Sequence, residues 1–345
     1  SMVATEISDV LFGTPEPVRS EANLGVLKED HVNIVAHGHE PVLSEMILAA
    51  AADPDLVARA QAAGAKGINV VGMCCTGNEI IMRHGIPLAG NFMQQELAII
   101  TGAVDAMIVD VQCIMPALGD LCECFHTKFI STSYKAKCPG AVHMQFNEEN
   151  TLAIAKEIVG AAVENYGHRV PEKVFIPKEK TACMVGFSAE AIIKALGGTL
   201  DPLLDAIKSG AIKGIAGVVG CNNPKIKHDE GHVELVRELI RNDVLVVNTG
   251  CNALATAKVG LMLPEAAEEA GDGLKGVCQA LGIPPVLHMG ACVDISRILS
   301  VCTAVANALS VDISDLPVAG AAPEWMSEKA VSIGAYVVSV SYTHL

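Results

Sequence analysis

The feature that most constrains the fold of this chain is one device used six times. A short apolar run leads into a glycine-containing or polar turn, and a histidine or cysteine stands at that turn. VNIVAHGH ends in His39, INVVGMCC in Cys75, AMIVDVQC in Cys113, IAGVVGC in Cys221, VLVVNTGC in Cys251 and PPVLHMGAC in Cys292. The runs are dominated by Val, Ile and Ala and are followed by helix-compatible segments. Continuous rather than alternating apolar character marks strands buried on both faces, and so a parallel sheet covered by helices. Open α/β sheets gather their ligands outside the carboxyl ends of the strands, where all six side chains fall.

The spacing organises the chain further. Successive donors are 36 and 38 residues apart in the first half and 30 and 41 in the second. A parallel βαβ unit occupies roughly 30 residues or more, so consecutive donors sit on successive units. The two halves echo each other in architecture with little residue-level identity. The expected fold class is α/β, two Rossmann-like domains with mainly parallel sheets. Residues 1–24, with Gly13, Pro15 and Pro17, read as an irregular connector. The first domain is expected over 25–172 and the second over 173–345, divided in the Pro- and charge-rich stretch Gly167–Lys180.

Helices are expected over Val42–Ala52, Asp55–Ala63, Gln94–Thr101, Asn147–Asn165, Ser188–Leu196, His232–Asn242, Ala253–Gly260 and Asp294–Leu309. Further strands are expected over Lys128–Ser133 and near Val318, the last leading into a helix over Pro323–Gly334. Ser188 is a plausible N-cap, because its hydroxyl can accept from a free N–H of the first turn.

The bulk numbers exclude several function classes. At 51% apolar the chain has ample material for a core, which argues against disorder. A net charge of −15 is wrong for a nucleic-acid partner, since phosphate binding needs a basic surface. Twelve cysteines without a signal peptide do not read as a secreted disulfide framework; reduced thiols in a cytoplasmic protein point to metal binding or redox chemistry. Ile298–Val311, 14 residues and uncharged up to its last position's neighbour Asp312, is too short to span a bilayer and reads as a buried helix.

Six donors, five of them thiols, are too many for one tetrahedral zinc. Thiolates suit iron–sulfur clusters, zinc and copper, and an imidazole suits iron, nickel or zinc. A cluster of several metals bridged by sulfide is the economical reading; buried structural cysteines are the alternative, since free cysteine is commonly core. Cys74 adjoins Cys75, but neighbouring side chains diverge. Cys122 and Cys124 form a weaker CxC candidate, and Cys138, Cys183, Cys278 and Cys302 read as packing. His37 and His39 form an HGH whose rings can face opposite ways, so that one of the two can support the other; His288, four residues before Cys292, can donate a hydrogen bond at that turn. Lys329, in PEWMSEKAVSIG, is either a solvated lysine paired with Glu324 or Glu328, or a cation that stabilises charge on a substrate oxygen.

Seven ordered motifs, HGHEPVLSEM, GINVVGMCCTGNEIIMRHGIP, DVQCIMP, GCNNPK, NTGCNA, HMGACVDISR and MSEKAVSIG, together resemble the catalytic subunit of nickel-containing anaerobic carbon monoxide dehydrogenases, of the prismane/CO-dehydrogenase-like fold. The resemblance runs from about Ile7 to about Val338. It implies two Rossmann-like domains and a nickel–iron–sulfur cluster held by His39, Cys75, Cys113, Cys221, Cys251 and Cys292. It makes Lys329 the catalytic lysine and places Ile333 beside the carbon monoxide site. The implied reaction is reversible oxidation of carbon monoxide with water to carbon dioxide, two protons and two electrons. Implied partners are a ferredoxin-like acceptor, a second copy in a homodimer and an acetyl-CoA synthase, with no nucleic acid and no membrane span.

The family's amino-terminal helical domain, which brings relay 4Fe–4S clusters and a proton-transfer histidine, has no counterpart in these residues, and the family continues past Ser339 where this chain reads SYTHL. The expectation is therefore a fragment. Two rivals stand beside this reading. A hybrid-cluster, hydroxylamine-reductase type uses glutamates among its ligands and fits Cys75 and Lys329 less well. A non-catalytic cluster-binding remnant is the other.

Overall fold

The computed structural model describes residues 2–327 and 331–336. They form an α/β protein in which nine strand pairings are parallel. The chain separates into two compact units. One comprises Glu21–Ile81 and Ile86–Lys180; the other takes in the amino-terminal residues to Ser20, Met82–Gly85 and the chain from Thr181 onward.

In the first unit the strands are β1 (Val18–Ala22, of which Glu21 and Ala22 belong to this unit), β2 (Val32–His37), β3 (Ile68–Met73), β4 (Leu88–Gly90), β5 (Val104–Val109), β6 (Lys128–Ser131) and β7 (Val142–His143). They lie in the order β7-β6-β5-β2-β3-β4-β1. From β2 the chain winds outward through β3 and β4, then returns to β5 on the other side of β2. The switch point therefore lies between β2 and β5. Every residue of β2 and of β5 is buried, as the unbroken apolar runs require. Helices Pro41–Ala51, Pro54–Ala62 and Thr151–Asn165 cover one face, with Leu43, Ile47, Leu56, Ile158 and Val159 closing on Ile34, Ile108 and Ile130.

The second unit holds β8 (Thr181–Val185), β9 (Gly214–Val218), β10 (Val244–Asn248), β11 (Val286–His288) and β12 (Val318–Ala321). Four of them form a sheet in the order β11-β10-β9-β12, with its switch point between β9 and β12. Ser188 caps helix Ala189–Ala195 by accepting from the Ala191 N–H at 3.0 Å, as expected. The stretch Cys292–Leu309 is the one helix among the described residues long and apolar enough to cross a membrane by length and composition. It is longer than the 14-residue run the sequence offers because its amino end includes buried Asp294 and Arg297, which are paired with each other. Its Ile298, Val301 and Val305 share an apolar cavity with Ile215, Leu245 and Leu287 of the sheet, the pattern of a core helix.

Three expectations change. Residues 1–24 are not an irregular connector: they carry helix Met2–Phe12 and β1. The division between units falls at Lys180–Thr181 instead of 172/173. Gly25 N–H donates to Glu179 O and Phe175 N–H to Thr101 O, and these bonds hold the intervening stretch on the first unit. The helix expected over Pro323–Gly334 does not begin at Pro323. Residues 323–327 form turns and 331–336 are helical, because Glu324 is drawn into the core, as described below.

Candidate metal centre

The three donors of the first unit stand on three adjacent strand ends. His37, Met73 and Val109 are register partners at the ends of β2, β3 and β5. His39 and Cys75 lie two residues beyond that line and Cys113 four. In the second unit Val218, Asn248 and His288 are register partners at the ends of β9, β10 and β11. Cys221 and Cys251 lie three residues beyond them and Cys292 four. Adjacent strands are about 4.8 Å apart, so each unit presents three candidate donors in a row at the carboxyl ends of its strands; His39 and Cys113 follow the two strands that flank the first switch point, and Cys221 follows one of the two that flank the second.

All six turns use left-handed backbone. Gly38, Cys74, Gly220 and Gly250 have positive φ immediately before His39, Cys75, Cys221 and Cys251; Gly290 precedes Cys292 by two, and Gln112 and Cys113 are themselves left-handed at φ 58° and 52°. A left-handed residue turns the chain off the strand direction, and a non-glycine there costs roughly 1–2 kcal/mol. Two of the glycines are also required by space. A Cβ on Gly38 would stand 2.1 Å from Asp110 Oδ1, and one on Gly250 would stand 2.4 Å from Cys292 Sγ.

His39 is oriented by its own strand neighbours. Its Nδ1 lies 2.7 Å from Val111 O. A carbonyl only accepts, so Nδ1 carries the proton and the lone pair of the neutral ring lies on Nε2. The buried carboxylate of Asp110 accepts from the N–H groups of His39 and Glu40 at 2.8 Å and from that of Val111. Burial pushes the Asp110 carboxyl above its ordinary range, against the pull of these donors and of His39. Thr76 N–H donates to Gly38 O at 2.8 Å and joins the Cys75 turn to the His39 turn. Gln95 Nε2 donates to Cys113 O at 2.7 Å.

The second trio is built the same way. Cys251 N–H donates to Gly220 O, and Gly250 N–H to Gly290 O, both at 3.0 Å, so the three turns are laced together. His232 is fully buried. Its Nε2–H donates to Cys221 O at 2.9 Å, while Nδ1 lies 3.0 Å from Asn252 Nδ2 and accepts from it. Burial lowers the His232 pKa, which agrees with this neutral tautomer. Glu324, also fully buried, accepts from the N–H groups of Gly231 and His232 and from Asn222 Nδ2. It caps helix Glu230–Arg241 from a distance, because the residue at the N-cap position, Asp229, is left-handed and makes no side-chain cap bond. A carboxylate at a helix amino terminus is favoured by the free N–H groups and the dipole. This role removes Glu324 from the surface, where a pairing with Lys329 would have held it. Lys329 itself lies outside the described residues. Ile333 is half-buried within the helical residues 331–336.

The other cysteines separate from these. All twelve are free thiols. Cys183 and Cys278 are buried, Cys278 against Leu203, Val277 and Leu287 at an apolar cavity, and burial pushes the thiols of Cys122 and Cys278 up to about 12, which keeps them protonated. Cys124 is exposed.

Among the described residues no three His, Cys, Asp or Glu side chains are grouped tightly enough to hold one metal ion. A single ion needs three or four donors in its first shell. An iron–sulfur cluster is held by thiolates at its separate metal corners, a requirement that a row of strand-end thiols can meet. Buried oxygens beside these residues, Thr76 Oγ1, Asn222 Oδ1, Thr249 Oγ1 and Asn252 Oδ1, have no hydrogen-bond partner among the described residues. Buried polar atoms are normally paired, so these mark the strand ends as places built to receive a further group. The donor chemistry in each unit fits a thiolate-held cluster.

The profile of the Prismane/CO dehydrogenase family matches residues 1–344. The chain belongs to the prismane/CO dehydrogenase family. It is 71% identical over 98% of its length to carbon monoxide dehydrogenase 1 of Methanosarcina acetivorans, of which it covers 54%. It is 47% identical over 99% of its length to the carbon monoxide dehydrogenase/acetyl-CoA synthase subunit beta of Moorella thermoacetica, covering 53% of that chain. It superposes with a TM-score of 0.96 and 62% identity on a nickel-free crystal structure of carbon monoxide dehydrogenase from Thermococcus sp. AM4, covering 98% of this chain and 54% of that one. This prismane/CO dehydrogenase chain thus spans about half the length of the relatives it matches.

Sequence reasoning singled out the donors and missed their supports, Asp110, His232, Glu324, Asp294 and Asn252. Asp110 left one signal, an acid closing the otherwise apolar run AMIVD. Glu324 left none, because its partners are more than 90 residues away in sequence.

Proposed function

We propose that this chain carries the active-site portion of a nickel-containing carbon monoxide dehydrogenase, converting carbon monoxide and water to carbon dioxide, two protons and two electrons in a reversible reaction. The observation that carries the reading is the repeated geometry: three donors on adjacent strand ends in each unit, every one set by left-handed backbone. Seen in a chain 71% identical to a protein of that name, it favours one cofactor, a nickel–iron–sulfur cluster held by His39, Cys75, Cys113, Cys221, Cys251 and Cys292. When bound, such a cluster supplies Lewis acidity and storage for two electrons.

The protein's own part follows from its residues. Val111 O fixes the tautomer of the His39 imidazole, with the lone pair on Nε2. The laced turns fix the thiols before any metal arrives, so little is lost in ordering them on binding. Lys329 stabilises negative charge on a substrate oxygen, and Ile333 gives the substrate pocket an apolar wall. The electrons leave to a ferredoxin-like acceptor. A homodimer, an acetyl-CoA synthase partner and a cytoplasmic setting, where free thiols persist, belong to the same proposal.

The test is anaerobic reconstitution of the chain with iron, sulfide and nickel, followed by metal counting and carbon monoxide oxidation with a viologen acceptor. Nickel bound together with iron and sulfide, and turnover that disappears in Lys329→Ala, supports the proposal. Iron without nickel, with hydroxylamine reduction, supports the hybrid-cluster type instead. A nickel-containing cluster without turnover reduces the chain to a binding module.

A further inference from the structure

Helix Met2–Phe12 turns a polar face inward. Thr5, Ser8 and Asp9 are its buried or nearly buried residues, while Val3, Ile7, Val10 and Leu11 are exposed. A surface helix ordinarily buries its apolar stripe, so the inward face must be held by specific polar contacts. Those contacts end at the Cys292 turn. Asp9 receives both Nη atoms of Arg297, at 2.6 and 2.7 Å, and Nη2 of Arg83 at 2.8 Å. Arg297 Nε reaches Asp294 Oδ1 at 3.2 Å, and Thr5 Oγ1 donates to the same oxygen at 3.0 Å. Asp294 Oδ2 accepts from the N–H of Ala291, the residue before Cys292, at 2.8 Å.

The arginines and Asp294 are buried and Asp9 nearly so, with side-chain exposures of 2% for Arg83, 4% for Arg297, 1% for Asp294 and 13% for Asp9. Two positive charges face two negative ones, and a bidentate guanidinium–carboxylate pair is both strong and directional. There is little slack at the far end. Gly290 leaves no room for a Cβ between Asp294 Oδ2 and Met82 Sδ, and Cys292 Sγ lies over Gly250.

We propose that Asp9 is a positioning residue for Cys292. It acts through Arg297 and Asp294 to hold that thiol in line with Cys221 and Cys251, and helix Met2–Phe12 exists in this unit to bring Asp9 there. The inference rests on the reading of Cys292 as a cluster ligand, but its test does not need the cluster.

The experiment alkylates the metal-free, reduced chain with iodoacetamide under anaerobic conditions and follows each cysteine peptide by mass spectrometry. Asp9→Asn keeps the shape and removes a negative charge that pairs with both Arg83 and Arg297. Cys292 should then react about tenfold faster, the scale of losing one charge-assisted hydrogen bond that resists local opening, while Cys221 and Cys251 keep their rates. Asp9→Glu should recover most of the protection. Thr5→Val, which removes only a hydroxyl, should give a smaller rise confined to Cys292. If Asp9→Asn does not fold, Arg297→Lys, which keeps the charge and breaks the two-point bond to Asp9, decides in its place, with the same rise confined to Cys292. Equal acceleration at all three cysteines, or none at Cys292, overturns the inference. Failure of the wild-type chain to take up iron, sulfide and nickel overturns the functional reading and leaves this result standing.

Discussion

His288 ends β11 and is fully buried beside Arg297. Burial, and then the Arg297 charge, lower its pKa from 6.5 to about 3. The imidazole is therefore neutral in the folded chain where it would be protonated in the unfolded one. Between those two values the unfolded state binds more protons, so stability falls as pH drops through 6.5 toward 3. Urea unfolding at successive pH values should show His288 adding up to ~1.4 kcal/mol per pH unit to that decline. His288→Gln should lose less stability than wild type between pH 7 and 5. A parallel decline in the two proteins would mean the burial argument fails. The turn residues matter at this scale for another reason. Gly38 and Gly250 are where backbone approaches a carboxylate and a thiol too closely for any side chain, and both immediately precede donors.

Helix Glu230–Arg241 shows how a whole element depends on a distant residue. Its amino terminus is capped by Glu324, and its third residue, His232, ties Cys221 to Asn252. Glu324→Ala would leave two buried N–H groups and the Asn222 amide short of an acceptor, each costing about 1–3 kcal/mol. The helix end should fray. Amide exchange at Gly231 and His232 should rise in Glu324→Ala, and the chain should lose several kcal/mol of stability in total. Glu324→Gln, which retains an acceptor oxygen, should fall in between. Periodicity could not have located this cap. It reads the long apolar stripe of helix Thr151–Asn165 well, yet continues a helix through Pro323–Ser327, where a tertiary bond overrides local preference.

At the scale of the molecule, a metal cluster that binds the folded chain and not the unfolded one must stabilise it, by roughly 4 kcal/mol when free ligand exceeds its dissociation constant a thousandfold. The reconstituted chain should melt several degrees above the metal-free one, and chelation of iron should reverse the gain. Cys251→Ser, which alters one donor without disturbing the packing, should abolish most of the difference. Equal melting of loaded and metal-free wild type would argue that the strand-end thiols are packing groups.

The amino-acid sequence by itself determined the strands that lead into the six candidate donors and most of the helices that follow them, and it singled out those six residues. Each of those depends on residues close together in the chain: an apolar run, a glycine, a thiol. It also carried enough ordered motif to state the family. Tertiary structure decided what local pattern cannot reach. Strand order placed β2 beside β5 and β9 beside β12, and register set the donors in rows. Asp110, His232, Glu324 and Asp294 became supports because folding brought them to turns distant in sequence. The amino-terminal helix is the clearest case. Val3, Ile7, Val10 and Leu11 face outward and Thr5, Ser8 and Asp9 inward, an arrangement that makes sense only once Arg83, Arg297 and Asp294 are there to meet it.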